Sequence, residues 1–177
     1  MRVIGGEFRS RVLKSVPGLD VRPTPDRLRE ALFNVLAPRI EGATFADVYA
    51  GTGAVGIEAL SRGARRVVFV EQNRAAAQVI RENLRNLGIE DRAEVRNMRA
   101  TAALPAVEAE IVFLDPPYHL EKEYASALEL LGRRLSRLVI VQHHTKLALQ
   151  ECYSALRRVR ILKQGENALS FFAPQEA

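Results

Sequence analysis

Four consecutive residues, Asp115, Pro116, Pro117 and Tyr118, form the most specific chemical pattern in the sequence. The two prolines cannot continue a strand, and they present carbonyl oxygens as hydrogen-bond acceptors on a stiff turn. Asp115 adds a carboxylate, and Tyr118 adds a flat aromatic face. Two acceptors beside a stacking surface suit a planar exocyclic amine on an unpaired or flipped-out base. Acceptors that hold the amine hydrogens expose its lone pair, so the pattern favours transfer of a group to that nitrogen.

A second pattern is the glycine turn Gly51-Thr-Gly53-Ala-Val-Gly56, which has the spacing G-x-G-x-x-G. Such a turn lets the backbone approach a ligand closely and directs helix amides at it, which suits a pyrophosphate, a carboxylate or a ribose. Glu71 lies about twenty residues further on, at the distance typical of a carboxylate that binds a ribose diol. These residues fit a dinucleotide and S-adenosylmethionine (SAM) equally well.

Asp47, just before the glycine turn, favours one of these two cofactors over the other. A carboxylate there would repel a pyrophosphate and would favour a cationic ligand such as SAM, which carries an amine, a sulfonium and no phosphate. Two structural interpretations stay open. Backbone amides could satisfy Asp47 at the end of its strand, and Glu71 could cap the helix predicted after it.

The elements that must position these residues alternate between strand and helix from residue 43 onwards. This order predicts a doubly wound α/β sheet that is mostly parallel, with one antiparallel strand added by a hairpin near the C-terminus. Residues 147–156 are expected to be helical. The glycine turn and Asp115 both follow predicted strands, and ligands bind such sheets at the carboxyl ends of the strands.

The start of the chain has a different pattern. Residues 1–14 predict a small basic β-hairpin around Gly5 and Gly6, and we expect residues 1–20 to form an extension of a single domain that covers residues 1–177. Thr24 is the expected cap of the helix that follows, with Pro25 as its first residue. A second basic cluster, in residues 153–163, has no acidic residue between Arg157 and Lys163.

Composition limits the function. The chain has 177 residues and a net charge of +5, which favours a polyanionic partner. No apolar run reaches the about 18–20 residues that cross a bilayer, and the N-terminus lacks the apolar segment of a secretory signal. We therefore expect a cytoplasmic monomer that does not bind membranes. Cys152 is the only cysteine, and the three histidines do not suggest a metal site, so no metal is expected.

The whole chain resembles the RsmD family of bacterial 16S rRNA guanine-N2 methyltransferases, within the SAM-dependent Rossmann-like class. The resemblance lies in MRVIGGEFRSRVL, RPTPDRLREALFNVL, DVYAGTGAVGIEALSRGA, VVFVEQN and IVFLDPPY. It implies SAM as methyl donor and a guanine in a small-subunit rRNA loop as target. It also implies that the preferred substrate is an assembled or partly assembled small ribosomal subunit.

The resemblance also implies roles for individual residues. Asp115 and Pro116 would grip the target amine, and Tyr118 would stack on the base. The cofactor would lie against Arg22, Thr24, Asp47, Gly51, Gly53, Glu71 and Gln72. Arg99 stands where related enzymes carry an acceptor for the adenine amine, so that contact would fall to Asn97 or to the backbone near Met98. The N-terminal residues Arg2, Arg9 and Arg11 would contact rRNA.

Three other functions compete with this one. The pattern at Asp115 also suits amino-methyltransferases that act on adenine N6, cytosine N4 or a glutamine amide. A dinucleotide oxidoreductase would use the glycine turn, although no substrate domain is recognisable. A non-catalytic RNA-binding protein could retain the fold alone.

Overall fold

Eight strands form one mixed sheet with helices on both faces, in a computed structural model that describes residues 1–18, 24–134 and 138–175. The helices are α1 (Asp26–Ile40), α2 (Ala54–Ser61), α3 (Arg74–Leu87), α4 (Ala100–Ala103) and α5 (Glu121–Gly132). The strands are β1 (Thr44–Val48), β2 (Arg66–Val70), β3 (Ala93–Arg96), β4 (Ile111–Leu114), β5 (Leu138–His144), β6 (Cys152–Tyr153), β7 (Leu156–Gln164) and β8 (Asn167–Pro174).

The parallel part of the sheet confirms the predicted α/β class. The strand order is β3-β2-β1-β4-β5-β8-β7-β6, and the first five strands are parallel. Strands β1, β2 and β4 are apolar and almost wholly buried, because helices cover both faces of the sheet. The chain order reverses between β1 and β4, so the loops after these two strands open a crevice at the carboxyl edge of the sheet.

The C-terminal part differs from the prediction of one antiparallel strand. Three successive antiparallel pairings, β5 with β8, β8 with β7 and β7 with β6, complete the sheet. The helix expected over residues 147–156 is also absent, since this part of the structure holds turns and the short strand β6. The physical reason is the burial of Tyr153 and Leu156, whose backbones pair with each other in a tight turn between β6 and β7.

The prediction of two N-terminal hairpin strands was wrong. Residues 1–13 fold back on themselves, but a single antiparallel bridge between Arg2 and Val12 replaces the two strands. Three backbone hydrogen bonds cross between the two arms of the segment, donated by the amides of Val3, Ser10 and Leu13. The amides of Ile4 and Gly5 instead donate to the carboxylate of Glu58, both across 2.9 Å. Helix α2 therefore fixes this segment.

The N-terminal segment also contributes to the main core. Val3, Phe8 and Leu13 are buried in the same apolar cluster as the helices on that face of the sheet. The amide of Glu7 donates to the carbonyl oxygen of Ser61 across 2.8 Å, at the last residue of α2. Apolar burial and backbone hydrogen bonds thus hold the predicted extension against the domain.

The expected cap of α1 was wrong as well. The helix begins at Asp26, so Pro25 occupies the cap position and makes no side-chain cap bond. The Thr24 hydroxyl instead donates to Oε1 of the buried Gln142 in β5, across 3.0 Å. A tertiary contact therefore replaces the local capping bond.

Candidate active site

A cavity of about 780 Å³ opens at the carboxyl ends of the parallel strands. The loops after β1 to β4, the end of β5 and the turn between β7 and β8 line it. Seven of the residues predicted from the sequence lie together on its wall: Gly51, Glu71, Gln72, Met98, Asp115, Pro116 and Tyr118. The fold thus brings the glycine turn and the Asp115 turn, more than sixty residues apart in the chain, to one cavity.

Asp47 is turned away from the cavity. Its side chain is buried, and its Oδ2 accepts a hydrogen bond from the Gly56 amide across 2.9 Å. Burial raises the pKa of Asp47 well above its usual range, although the Gly56 amide opposes the shift; the charges of Asp115 and Glu71 add to the rise. Asp47 therefore holds the glycine turn in place through its hydrogen bond with the Gly56 amide. It also occupies an amide in the first turn of α2 that a pyrophosphate would use.

The three glycines of the turn serve different purposes. Gly53 caps α2 in the left-handed conformation, with a φ of 81°, and is not among the described residues that line the cavity. Gly56 lies so close to β2 that a Cβ there would be 2.3 Å from the ring of Phe69. Gly51 alone of the three lines the cavity.

Glu71 follows β2 and projects into the cavity, where backbone amides hold its carboxylate. Its Oε2 accepts from the Gly51 amide across 2.7 Å, and its Oε1 accepts from the Asn73 amide across 2.9 Å. Each oxygen keeps a second lone pair, so the fixed carboxylate can still accept hydrogen bonds from a ribose diol. The side-chain cap of α3 is Asn73, which accepts from the Ala76 amide.

On the far side of Glu71 the wall is formed by Gln72, Met98 and Arg99. Asn97 is not among the described lining residues. Its side-chain amide donates to the carbonyl oxygens of Glu71 and Gln72, across 2.9 and 3.1 Å. Asn97 therefore clamps the loop after β2, which leaves Gln72 and Met98 as the predicted adenine neighbours.

Asp115 follows β4 directly, and its partly exposed side chain faces the cavity. Its backbone amide donates to the carbonyl oxygen of Val48 across 3.3 Å, which continues the pairing of β4 with β1 for one more residue. Burial raises the pKa of Asp115 to about 7. Because it can gain or lose a proton near neutral pH, this carboxyl group suits acid–base chemistry.

Both proline carbonyls of the Asp115 turn already accept a hydrogen bond within the protein. The hydroxyl of Tyr124 in α5 donates to the Pro116 carbonyl oxygen across 3.0 Å, and the Leu120 amide donates to the Pro117 carbonyl oxygen across 2.9 Å. A carbonyl oxygen has two lone pairs, so Pro116 can still accept a bond from a ligand. The start of α5 thus fixes the turn that Asp115 begins.

Tyr118 is held in place by the C-terminal strands. Its hydroxyl donates to Oδ1 of Asn167 across 2.6 Å. The ring meets His144 edge to face, with ring centroids 5.9 Å apart and planes at 88°. The ring lines the cavity in an orientation that these two residues support.

Sequence reasoning missed several lining residues. Tyr49 has a positive φ of 63°, and its hydroxyl donates to Oε2 of Glu123 across 2.5 Å. Its place between Asp47 and the glycine turn was a usable signal. No comparable signal marked Glu123, Gln142 or Asn167, because none of them stands in a recognisable motif and the fold brings them to the cavity.

The remaining predicted residues that the structure describes are not among those that line the cavity. Arg22 falls outside the described residues. Thr24 contacts the wall indirectly through Gln142, while its neighbour Pro25 lines the cavity. The N-terminal arginines Arg2, Arg9 and Arg11 are exposed on the segment that contacts α2 and the end of α3.

The charged side chains that line the cavity favour a cationic ligand. The described lining residues include four carboxylates and one guanidinium, that of Arg99; the carboxylates are Glu71, Asp115, Glu123 and Glu166. Across residues 1–18, 24–134 and 138–175, no group of three or more metal-ligating side chains is close enough to hold a metal ion. No helix in these ranges is long and apolar enough to span a membrane.

The chain is similar in sequence to proteins named as methyltransferases. The chain is 35% identical over 169 residues to a Bacillus subtilis protein named "Putative rRNA methyltransferase YlbH", which covers 90% of this chain and 91% of that protein. It is 43% identical over 120 residues to "Ribosomal RNA small subunit methyltransferase D" of Escherichia coli K12. That match covers 67% of this chain and only 60% of the Escherichia coli protein.

The fold comparison extends over the full chain. The solved structure of Escherichia coli yhhF, described as a "Putative methyltransferase", superposes with a TM-score of 0.85 at 34% identity and covers 100% of this chain and 99% of that one. A family model described as "Conserved hypothetical protein 95" matches residues 1–173. The chain therefore belongs to this family, the RsmD/YlbH family of methyltransferases.

Proposed function

We propose that this protein transfers a methyl group from SAM to the exocyclic N2 amine of a guanine in 16S rRNA. The observation that carries the proposal is the position of Asp115 and the Pro116 carbonyl beside Tyr118, in the same cavity as Glu71 and Gly51. Acceptors for an amine and an aromatic face for a base stand next to a ribose-binding carboxylate. That combination fits a nucleotide-like cofactor and a base together.

SAM fits the part of the cavity around Gly51 and Glu71 (the cofactor half) better than a dinucleotide does. Its sulfonium and amine are cationic, and the cavity wall carries more carboxylates than guanidinium groups. The Gly56 amide, which a pyrophosphate would need, is occupied by Asp47. Glu71 would bind the ribose hydroxyls, and Gln72 and Met98 would flank the adenine. No metal is needed for this reaction.

The part of the cavity around Asp115 and Tyr118 would hold the target base. The flipped guanine would stack on Tyr118 and direct its amine at Asp115 and the Pro116 carbonyl. With the amine hydrogens held, the nitrogen lone pair attacks the methyl carbon, the carbon–sulfur bond breaks and S-adenosylhomocysteine leaves. The nitrogen then loses a proton, which the Asp115 carboxylate can take because its pKa is about 7. Catalysis otherwise depends on in-line alignment of nitrogen, carbon and sulfur.

The relatives' names support the choice of rRNA. One is named as a small-subunit rRNA methyltransferase, and we propose small-subunit rRNA as the target class here. The family resemblance extends this proposal to guanine 966 of 16S rRNA. An assembled or partly assembled small subunit in the cytoplasm would be the substrate, and the protein would act as a monomer.

The test is transfer of label from methyl-labelled SAM to four substrates offered separately: small ribosomal subunits, naked 16S rRNA, DNA and protein. We expect label in the small subunits. A thermal shift with SAM and none with NAD would support the cofactor assignment. Label only in DNA or protein would overturn the substrate class while keeping the mechanism. A shift with NAD alone would overturn the proposal as a whole.

A further inference from the structure

The second basic cluster of the sequence lies on β7, a strand that leads directly to the cavity. β7 runs parallel to β5, so its last residue, Gln164, lies at the carboxyl edge of the sheet. The turn that follows places Glu166 and Asn167 on the cavity wall. From Arg157 to Lys163 the strand extends over about 20 Å away from the cavity mouth.

Three of the basic side chains on this strand are available to a partner. Arg157, Arg160 and Lys163 are exposed, and the described part of the chain gives none of them an ion pair. Arg158 differs from them because it pairs with Glu151. The register places Arg157 and Arg160 on one face of this strand and Lys163 on the other, so cations flank both sides of its edge. Exposed cations along one strand edge are the electrostatic pattern of a phosphate-binding surface.

The edge of β7 is also uncovered. The short strand β6 pairs only with Leu156 and Arg157, so among the described residues no strand covers the stretch from Val159 to Gln164. Val159 is 62% exposed and Ile161 is 43% exposed on this edge. Apolar side chains between cations can contact the sugars and bases that lie between phosphates.

We infer that the outer edge of β7, from Arg157 to Lys163, binds the phosphate backbone of the rRNA strand whose base enters the cavity. This inference rests on the proposed function. A flipped base keeps its own phosphates at the cavity mouth, so flanking phosphates must pass over elements that line the mouth. β7 continues into such an element through Glu166 and Asn167. The N-terminal arginines, in contrast, lie on a segment held by α2 and the end of α3.

A competing explanation is protection of the sheet edge. Lysine, arginine and β-bulges on an edge strand prevent pairing with other chains, and β7 has an irregularity between Arg158 and Arg160. A strand from a ribosomal protein could also add to this edge. The experiment must separate these explanations from RNA binding.

The test compares two double charge reversals. Arg160→Glu with Lys163→Glu changes the β7 edge. Arg39→Glu with Arg65→Glu is the matched control, because both residues are exposed and precede β1 and β2 at the opposite edge of the sheet. Binding to naked 16S rRNA and to small subunits is measured across salt concentrations, together with kcat, KM and SAM affinity. Arg160→Gln with Lys163→Gln repeats the test without introducing negative charge.

We expect the β7 variants to bind rRNA at least tenfold more weakly at moderate salt. The slope of log affinity against log salt should fall in magnitude by about 1.4–1.8, the value for two lost phosphate contacts. KM for RNA should rise, while kcat and SAM affinity stay unchanged. A slope equal to that of the control would overturn the inference. So would aggregation with unchanged RNA binding, or loss of subunit binding with naked rRNA binding intact. Failure of the unaltered protein to methylate RNA would instead reject the proposed function.

Discussion

The Tyr124 hydroxyl donates a hydrogen bond to the Pro116 carbonyl oxygen across 3.0 Å, from a side chain that is only 1% exposed. Burial raises the pKa of Tyr124, and the nearby Asp115 charge adds to the rise, so the phenol stays protonated as a donor. This bond fixes the direction of the carbonyl that would receive the target amine. Tyr124 is not among the described residues that line the cavity, so we expect it to act as a positioning residue through Pro116.

Tyr124→Phe should lower kcat about fivefold, since removal of one hydrogen bond is worth about 1 kcal/mol. SAM affinity should not change, because the cofactor half of the cavity is untouched. The matched control is Tyr153→Phe, which removes another buried hydroxyl on the same face of the sheet, bonded to the Gln150 amide. Steady-state kinetics with saturating SAM measure the effect. Equal kcat values for the two variants would remove Tyr124 from the mechanism.

Asp115→Ala should retain SAM binding and lose methyl transfer, because the carboxylate acts on the base and not on the cofactor. Calorimetric titration with SAM, paired with a transfer assay, separates the two effects. A collapse of SAM affinity in this variant would show that the role assigned to Asp115 is wrong. Asn at this position keeps an acceptor oxygen, so Asp115→Asn should be more active than Asp115→Ala.

The pH dependence follows from the pKa of about 7 for Asp115. Since the ionised carboxylate is the better acceptor, kcat/KM should rise as pH increases through 7 and level off above it. Asp115→Asn should flatten this step. The free energy of unfolding should change with pH in the opposite direction, because the folded state holds the Asp115 proton more tightly than the unfolded chain does. The stabilising contribution is therefore complete at low pH and is lost as pH rises through about 7. A step in kcat/KM that persists in Asp115→Asn would assign it to another group.

Gly56→Ala should destabilise the fold by about 1–3 kcal/mol, the usual cost of overpacking a core. The added Cβ would approach the Phe69 ring to 2.3 Å. Urea unfolding measures the change. Phe69→Leu, combined with Gly56→Ala, should recover part of the loss by making room for the methyl group. If the two substitutions were simply additive, the close contact would not be the cause.

Glu58→Gln should destabilise the protein by about 3–5 kcal/mol, because it removes the buried carboxylate beside Arg29 and leaves the exposed Asp26 as the only described acidic partner of that buried cation. Arg29 is fully buried beside Glu58, and its Nε and Nη1 atoms have no hydrogen-bond partner among the described residues. Glu82→Gln, which breaks the exposed pair with Lys14, is the control and should cost under about 1 kcal/mol. Equal unfolding free energies for the two variants would contradict the account of the N-terminal anchor.

The sequence predicted those parts of the site that local chemistry determines. Asp115 and Gly51 were placed at strand ends because apolar runs precede them, and parallel strands bring such ends together. The orientation of Asp47 was left open, since only the structure shows that its carboxylate binds the Gly56 amide. Asn167 and Tyr124 could not be predicted as site residues, because tertiary packing alone brings Asn167 to the cavity and the Tyr124 hydroxyl to the Pro116 carbonyl.

Two errors in the predicted fold have the same cause. The two predicted N-terminal strands are reduced to one bridge, because the amides of Ile4 and Gly5 bind the Glu58 carboxylate and not the opposite arm of the segment. The helix expected over residues 147–156 failed because Tyr153 and Leu156 are buried together in a turn. In both places the local pattern was compatible with the prediction, and partners far away in sequence decided the outcome.

The most direct test of the central claim is identification of the nucleoside that receives the methyl group. Small ribosomal subunits from cells that lack this activity would be incubated with the protein and methyl-labelled SAM, and the rRNA would be digested to nucleosides. The account predicts label in N2-methylguanosine from 16S rRNA. Label in N6-methyladenosine, in a methylated cytidine or in ribosomal protein would contradict it.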